Sequence, residues 1–251
     1  MSRLRTFLLS LFFLLTASEG LYCQVNTEKM RLEREKSGIS GNVKFEYSVD
    51  MGNSELTEID LKPNLVSRFG RHQFFMLNDL SRVYSEGGNI ISKAFSHLRY
   101  NFHFDSSVIG ELFTQAEYNK SLNLEHRYLF GGGVRLIPFN RENVKAALGI
   151  SVMNEEEKLE SGELTRLVRG SSYIYLEVVR GDNFALGNTV YIQPAFEDLE
   201  DYRVLDDAEL EIWIFKSLAI TNSLHYRYDS KPPADLKHYD LEIKNGLKFK
   251  F

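Results

Sequence analysis

The sequence lacks the long apolar runs of a helical membrane protein. Outside residues 1–20, no stretch approaches the roughly 18 consecutive apolar residues of a membrane-spanning helix. The mean hydropathy of −0.28 is also too low for that class. A single cysteine, Cys23, excludes an intrachain disulfide. Neither a basic patch for nucleic acid nor the spacing of an EF-hand loop is present.

The first residues carry the pattern of a leader. Two arginines precede an apolar run at residues 7–17, which is too short to span a bilayer and is followed by small and polar residues. We therefore predict a secretory signal peptide at residues 1–20, with cleavage after Gly20 or, alternatively, after Cys23. The charged residues 21–37 do not alternate, and we expect a short periplasmic segment there.

The last residues alternate, with apolar side chains at every odd position from Tyr239 except Asn245 and charged ones at most even positions. Such alternation predicts a strand with one apolar and one polar face. The strand is long enough to cross a bilayer when tilted. It also ends on an aromatic residue, as the last strands of outer-membrane barrels commonly do. Four residues fit the signal that the barrel-assembly machinery recognises: Lys244, Gly246, Phe249 and Phe251.

The same alternation recurs from Gly38 to the C-terminus, interrupted by glycine, asparagine, aspartate, serine or proline. It predicts an all-β, antiparallel, up-and-down transmembrane β-barrel of about twelve strands, with ten as the alternative count. Aromatic residues make up 13% of the chain and suit either aromatic belts or strand cores. The predicted strands are residues 38–51, 54–69, 71–84, 91–105, 107–120, 123–138, 143–154, 165–180, 183–198, 202–216, 218–229 and 237–251.

Connection lengths predict the orientation of the barrel. Tight turns, such as residues 70–71, alternate with longer or loop-forming connections, the longest of them at residues 84–90, 153–164 and 229–236. Outer-membrane barrels place short turns in the periplasm and long loops outside. Both chain ends would then be periplasmic. Only the strand at residues 72–84 has an ambiguous face, because its residues 74–77 are continuously apolar.

One face of the predicted strands carries charges of both signs. Two hypotheses follow: a network of ion pairs that fills a narrow lumen, which we favour, or an aqueous pore whose charges tune selectivity. Strand number does not decide between them. The charged residues predicted to line the lumen are Lys44, Glu46, Asp60, Arg99, Glu111, Glu117, Glu125, Arg127, Arg169, Glu209, Glu211, Arg227 and Lys244.

The remaining candidate functional sites are two acidic stretches and one pair of side chains. Residues 154–163 predict a solvated acidic loop, and residues 198–207 a second acidic cluster near the outer rim. Ser223 and His225 share a face, so a lipid-modifying enzyme is an alternative. However, no Gly-x-Ser-x-Gly motif occurs and nothing orients the histidine toward a lipid. Residues 131–133 are three glycines inside a strand and predict a bend or relief of crowding.

Residues 41–54 resemble an N-terminal signature of domain-of-unknown-function family 481, whose members are often labelled salt-induced outer-membrane proteins. That family has a glycine-led strand, a Gly-Asn-Ser/Thr turn and a second alternating strand. Here the turn is at residues 52–54 and the second strand at residues 59–69, and the glycine-rich residues 128–137 match as well. The resemblance spans residues 38–251 and implies an outer-membrane β-barrel without assigned catalytic residues.

Together these patterns predict a porin-like, non-enzymatic bacterial outer-membrane protein, either an envelope component or a narrow channel. We expect no catalytic residue, metal or cofactor. The expected partners are outer-membrane lipid, lipopolysaccharide and, during biogenesis, the barrel-assembly machinery. A soluble periplasmic β-barrel that binds a small ligand is the other alternative.

Overall fold

A computed structural model describes residues 37–50, 56–85, 90–232 and 237–251. The predicted signal peptide, nearly all of the N-terminal segment and the turn at residues 52–54 lie outside these ranges. Twelve strands form one closed barrel, which confirms the predicted fold class and strand number. The strands are β1 (Gly38–Asp50), β2 (Leu56–Phe69), β3 (His72–Ser85), β4 (Ile90–His103), β5 (Val108–Asn119), β6 (Leu124–Asn140), β7 (Val144–Leu159), β8 (Leu164–Arg180), β9 (Phe184–Pro194), β10 (Tyr202–Phe215), β11 (Leu218–Asp229) and β12 (Tyr239–Lys250).

Each strand pairs antiparallel with its neighbours in sequence, and β1 pairs with β12 to close the barrel. We call the end with the β2–β3 and β10–β11 connections the turn end and the opposite end the loop end. The β2–β3 connection consists of Gly70 and Arg71 alone. Gly70 has φ 58°, a left-handed conformation that costs glycine little. The short connections and both described chain ends therefore lie together.

The polarity of the barrel is the reverse of that of a soluble protein. Ile150 (71% exposed) and Ile174 (60%) lie on the outer wall, whereas Arg135 and Arg169 (both 1%) lie inside. Soluble monomers rarely expose an apolar surface of this extent. A barrel in lipid is expected to have this arrangement, because hydrocarbon replaces water outside. The outer wall therefore argues against the soluble alternative.

The outer face of β7 shows the height of the apolar band. Its outward residues from Val144 to Val152 are apolar, and from Asn154 onward they are polar. At about 3.4 Å per residue this apolar row is roughly 27 Å long, or about 21 Å deep at a strand tilt of about 40°. Aromatic side chains flank the band. Phenylalanines dominate at the turn end (Phe69, Phe104, Phe139, Phe215, Phe249, Phe251) and tyrosines at the loop end (Tyr84, Tyr128, Tyr202, Tyr239).

The ambiguous strand β3 alternates like the others. Phe75 and Leu77 point inward and form a small apolar cluster with Val66, while Phe74 and Met76 are exposed outside. Residues 131–133 relieve crowding: a Cβ on Gly133 would lie 2.2 Å from the carbonyl oxygen of Ile150. Within the described ranges, no helix is both long and apolar enough to cross a membrane.

Two predicted boundaries need correction. Strand β7 continues to Leu159 rather than ending at residue 154, so that only residues 160–163 connect it to β8. Strand β9 ends at Pro194 rather than at residue 198, and the following segment crosses to β10. Longer β6, β7 and β8 strands thus raise one side of the wall at the loop end.

Candidate functional site

The barrel interior holds most of the charged residues predicted from the alternation. They are buried there because each lies at an inward position of its strand. Eleven are buried and Glu209 is half-buried: the buried ones are Lys44, Glu46, Asp60, Arg99, Glu111, Glu117, Arg127, Arg169, Glu211, Arg227 and Lys244. A role in transport for any of them remains a prediction.

Glu125 is the exception and a correction to the predicted lumen. Its side chain is 46% exposed and pairs with Lys158 Nζ at 2.7 Å, and Lys158 occupies an outward position of β7. A register shift lies between Leu124 and His126. Such a bulge adds one residue and reverses which face the next side chains occupy. The alternation of β6 therefore assigns Glu125 to the wrong side.

One interior cluster lies where the barrel closes, and we call it the seam cluster. Lys44 Nζ lies 2.7 Å from Glu46 Oε1 and 2.6 Å from Glu209 Oε2. Lys62 Nζ lies 2.6 Å from Glu46 Oε2. Lys244 contacts Asp60. The seam cluster therefore joins β1, β2, β10 and β12 through alternating charges.

Three carboxylates surround Lys244. Single ligand atoms from Glu58, Asp60 and Glu242 lie within 4.8 Å of one another, a grouping that could hold a metal ion. The ammonium group of Lys244 contacts all three, at 2.7 Å from Glu242 Oε1 and 3.3 Å from Glu58 Oε1. The protein therefore supplies its own cation at this position.

A second cluster, the arginine cluster, lies toward the loop end. Arg203 Nη1 lies 2.7 Å from Glu155 Oε2, and its Nη2 lies 3.2 Å from Glu157 Oε2. Arg127 Nε donates to Glu157 at 2.7 Å. Arg169 Nε donates to Glu155 at 3.1 Å. Each of the two glutamates thus joins arginines from different strands.

Glu155 and Glu157 correct the prediction of a solvated loop at residues 154–163. Both are buried inside, because the alternation of β7 continues past Met153 and places odd positions inward. Their three arginine neighbours compensate the cost of burying carboxylates. The sequence signal was available, since alternate glutamates extend the strand pattern. It was hidden because the outward positions are charged as well.

The second predicted acidic cluster divides between different places. Asp207 is buried in the interior beside His225, with Oδ1 and Nδ1 2.7 Å apart. Asp201 makes two hydrogen bonds with Arg169, at 2.9 and 3.1 Å. Asp198 remains at the surface, where a hydrogen bond from Lys231 lowers the pKa of its carboxyl group. These acids are therefore not one solvated cluster.

A third group, the tyrosine bridge, consists of Tyr173, Arg135, Glu111 and Arg99. Tyr173 donates to Glu111 at 3.4 Å and accepts a hydrogen bond from Arg135 at 3.1 Å. Arg99 Nη1 reaches Glu111 at 3.1 Å. Its guanidinium also lies over the Phe113 ring, 4.9 Å from the centroid. Strands β4, β5, β6 and β8 are therefore joined through these side chains.

Some of these contacts are chords across the lumen rather than bonds between adjacent strands. The pairs Lys44–Glu209, Arg203–Glu155 and Tyr173–Glu111 each join strands three apart around the barrel. A small cavity of about 30 Å³ is lined by groups such as His97, Gln115 and Ser171. A cavity of that size holds about one or two water molecules. The chords thus narrow the lumen.

The turn end of the barrel holds a larger cavity than the middle of the lumen. A cavity of about 880 Å³ lies there, lined by Lys145, Glu177, Glu211, Trp213 and Lys250 among others. Trp213, the single tryptophan of the chain, donates from Nε1 to Glu211 at 3.1 Å. We call this space the vestibule. It provides one open mouth to the filled interior.

The predicted assembly signal divides between the two faces of β12. Lys244 and Gly246 point inward, whereas Phe249 and Phe251 are 48% and 73% exposed outside. A Cβ on Gly246 would lie 2.7 Å from Glu46 Cγ, so the glycine makes room for the Glu46 side chain. Recognition of these residues by assembly machinery stays a prediction.

The alternative catalytic pair is not assembled. Ser223 is fully buried and donates to Glu46 at 3.1 Å and accepts from Lys44 at 2.7 Å. His225 is paired with Asp207 instead. A serine nucleophile needs a histidine base within hydrogen-bond reach. In the described part of the chain, Ser223 and His225 share no hydrogen bond.

Comparison with solved structures agrees with this architecture. An outer membrane channel from Pseudomonas putida F1 is 12% identical, with a TM-score of 0.55 over 91% of this chain and 100% of the channel. The NanC porin is 10% identical, with a TM-score of 0.52 over 85% of this chain and 100% of the porin. At these identities the likeness shows the fold alone. No curated protein sequence matches this chain.

A family model gives the remaining comparison. The model described as "Protein of unknown function, DUF481" matches residues 43–251, which include eleven strands completely and most of β1. This match confirms the resemblance, and its range includes the Gly-Asn-Ser sequence at residues 52–54 and the glycine-rich β6. The chain is therefore a member of the DUF481 family, with the fold of an outer-membrane β-barrel.

Proposed function

We propose that this protein is a non-enzymatic barrel of the bacterial outer membrane that conducts small solutes through a narrow, charged lumen. The apolar outer wall and its two aromatic girdles support placement in a bilayer. The short turns then lie in the periplasm and the loops outside. Outer-membrane lipid and lipopolysaccharide surround the wall, and the barrel-assembly machinery reads the end of β12.

The Arg203–Glu155 chord is the observation that carries the proposal. Its atoms lie 2.7 Å apart and bridge strands three apart. Side chains that cross a lumen limit the size of what passes and place fixed charges along the path. The chord therefore supports a constricted channel that opens by movement of a few side chains rather than of the wall.

Planar-bilayer conductance tests the proposal. Wild-type protein is expected to give small, discrete openings. Shortening both ends of the chord in Arg203→Ser/Glu155→Ser removes volume and no net charge, so the unitary conductance should rise at least twofold. The matched control is Arg166→Ser/Glu156→Ser. That pair has the same chemistry, with Arg166 Nε 2.7 Å from Glu156 Oε2, but lies on the outer wall.

The control should leave the conductance unchanged. Equal conductance of wild type and the Arg203→Ser/Glu155→Ser variant would show that this chord does not constrict the lumen. Silent bilayers for every variant, with folded barrels on gels, would leave an envelope component without a channel. Hydrolysis of phospholipid that is lost in Ser223→Ala would instead favour the lipid-modifying enzyme.

A further inference from the structure

Two asparagines face the lipid halfway up the barrel wall. Asn222 on β11 and Asn245 on β12 are cross-strand neighbours, and both side chains are exposed at outward positions. Asn245 is the fourth of seven outward residues from Tyr239 to Phe251. It therefore lies about six residues, roughly 20 Å along the strand, from either aromatic end, near the middle of the hydrocarbon layer.

These amides are only partly satisfied. Asn222 Nδ2 donates to Asn245 Oδ1 at 2.7 Å. Within the described residues, Asn222 Oδ1 and Asn245 Nδ2 have no hydrogen-bond partner. Around the pair, Ile220 and Leu247 are apolar, and Tyr47, which lies opposite Asn245 on β1, shares no hydrogen bond with it within the described residues. Neither water nor a lipid headgroup reaches the centre of a bilayer, so these groups require a partner from protein.

Another polar pair on the outer wall shows the usual solution. Asn78 on β3 is also at an outward position, but its Nδ2 donates to the carbonyl oxygen of Pro63 at 3.0 Å. Its Oδ1 accepts a hydrogen bond from Ser96 at 3.0 Å. Pro63 lacks an N–H group and so interrupts the backbone hydrogen bonds between β2 and β3, and the Asn78 side chain supplies a hydrogen bond at that place. Asn222 and Asn245 have no such local task.

We propose that the β11–β12 wall is the interface of a homodimer in the membrane. A second copy related by a two-fold axis brings its Asn245 Nδ2 to Asn222 Oδ1, and the reverse contact follows by symmetry. The unused acceptor and donor of one copy are the complement of those of the other. Polar side chains in apolar transmembrane surfaces join protein segments in this way.

The oligomeric state in lipid tests the dimer, which rests on the proposed membrane placement but not on conductance. Single-molecule photobleaching in liposomes should show two subunits for wild-type protein. For Asn222→Leu/Asn245→Leu, the dissociation constant should rise at least tenfold, while the gel mobility of the folded barrel stays unchanged. Asn78→Leu/Ser96→Leu, which also replaces a lipid-facing polar pair, should leave the dimer intact.

Cross-linking in native membranes gives an independent readout. In a Cys23→Ser background, Leu247→Cys lies beside the proposed axis and should form disulfide-linked dimers. Leu98→Cys on β4 is similarly exposed but lies far around the wall and should not. Wild-type monomers, a dimer insensitive to both asparagine substitutions, or preferential cross-linking at Leu98→Cys would each overturn the interface. If unheated wild-type protein failed to run as a compact, folded barrel on a detergent gel, membrane placement itself would be refuted.

Discussion

At the scale of single residues, Lys244 is the strongest test of the filled interior. Its ammonium group compensates three buried carboxylates, those of Glu58, Asp60 and Glu242. Lys244→Met removes the ion-pair partner of Asp60 and Glu242, whereas Glu58 keeps Lys93 at 2.6 Å. Removing one partner of a buried ion pair typically costs about 3–5 kcal/mol. We expect that loss in the free energy of unfolding of refolded protein in lipid vesicles, measured by urea titration with Trp213 fluorescence.

Lys158→Met is the matched control, because Lys158 pairs with the exposed Glu125 on the outside. Exposed pairs contribute about 0–1 kcal/mol, so its effect should be small. Adding Asp60→Asn and Glu242→Gln to Lys244→Met should restore part of the lost stability. Equal costs for the two methionine variants would show that the seam cluster is hydrated rather than buried.

Asp105 in the β4–β5 turn provides a pH-dependent prediction. Its carboxylate accepts hydrogen bonds from the backbone N–H groups of Ser107 and Val108, at 2.6 and 2.8 Å, and these lower its pKa. The stabilisation is complete above the unfolded pKa of about 3.9 and disappears as the pH falls through the lower folded value. Asp105→Ala should therefore lower the urea midpoint at pH 7.

Below both pKa values the Asp105→Ala and wild-type midpoints should converge. Asp182→Ala removes an exposed carboxylate from the β8–β9 turn at the same end and controls for net charge. A difference that persists unchanged at low pH would mean that the turn depends on the shape of the side chain rather than on its charge.

At the scale of strands, local alternation was enough to predict all twelve elements and the outward faces of most of them. The reason is that lipid and lumen impose opposite polarity on successive residues. The bulge in β6 was not predictable, because one extra residue near Leu124 leaves no distinct sequence mark. The contacts of Arg203 with Glu155 and Glu157 were not predictable either, since they depend on the stagger of strands three apart.

The extension of β7 can be tested directly. In a Cys23→Ser background, Glu156→Cys lies at an outward position beyond the apolar part of β7. It is therefore in contact with water and should react quickly with a water-soluble maleimide. Glu157→Cys points into the arginine cluster and should react at least tenfold more slowly. Similar reaction rates at both positions would support a solvated loop at residues 154–163 and contradict the extension of β7.

At the scale of the whole molecule, closure between β1 and β12 makes one compact unit. Membrane-extracted protein should therefore run as a fast band on a detergent gel when unheated and as a slower band after boiling. Deleting residues 245–251 removes every β12 partner of β1 and should abolish the fast band. An unheated band that does not shift on boiling, together with release into the soluble fraction, would contradict a membrane barrel.

The close fit of Gly246 to Glu46 has a consequence for how the barrel finds its final register. Alternation alone tolerates a slip of two residues, because inward side chains stay inward. Only one register puts a glycine opposite Glu46; a slip would put Lys244 or Lys248 there, in space that the Glu46 side chain fills. We therefore expect the contact between Glu46 and Gly246 to disfavour closure of the barrel in a register shifted by two residues.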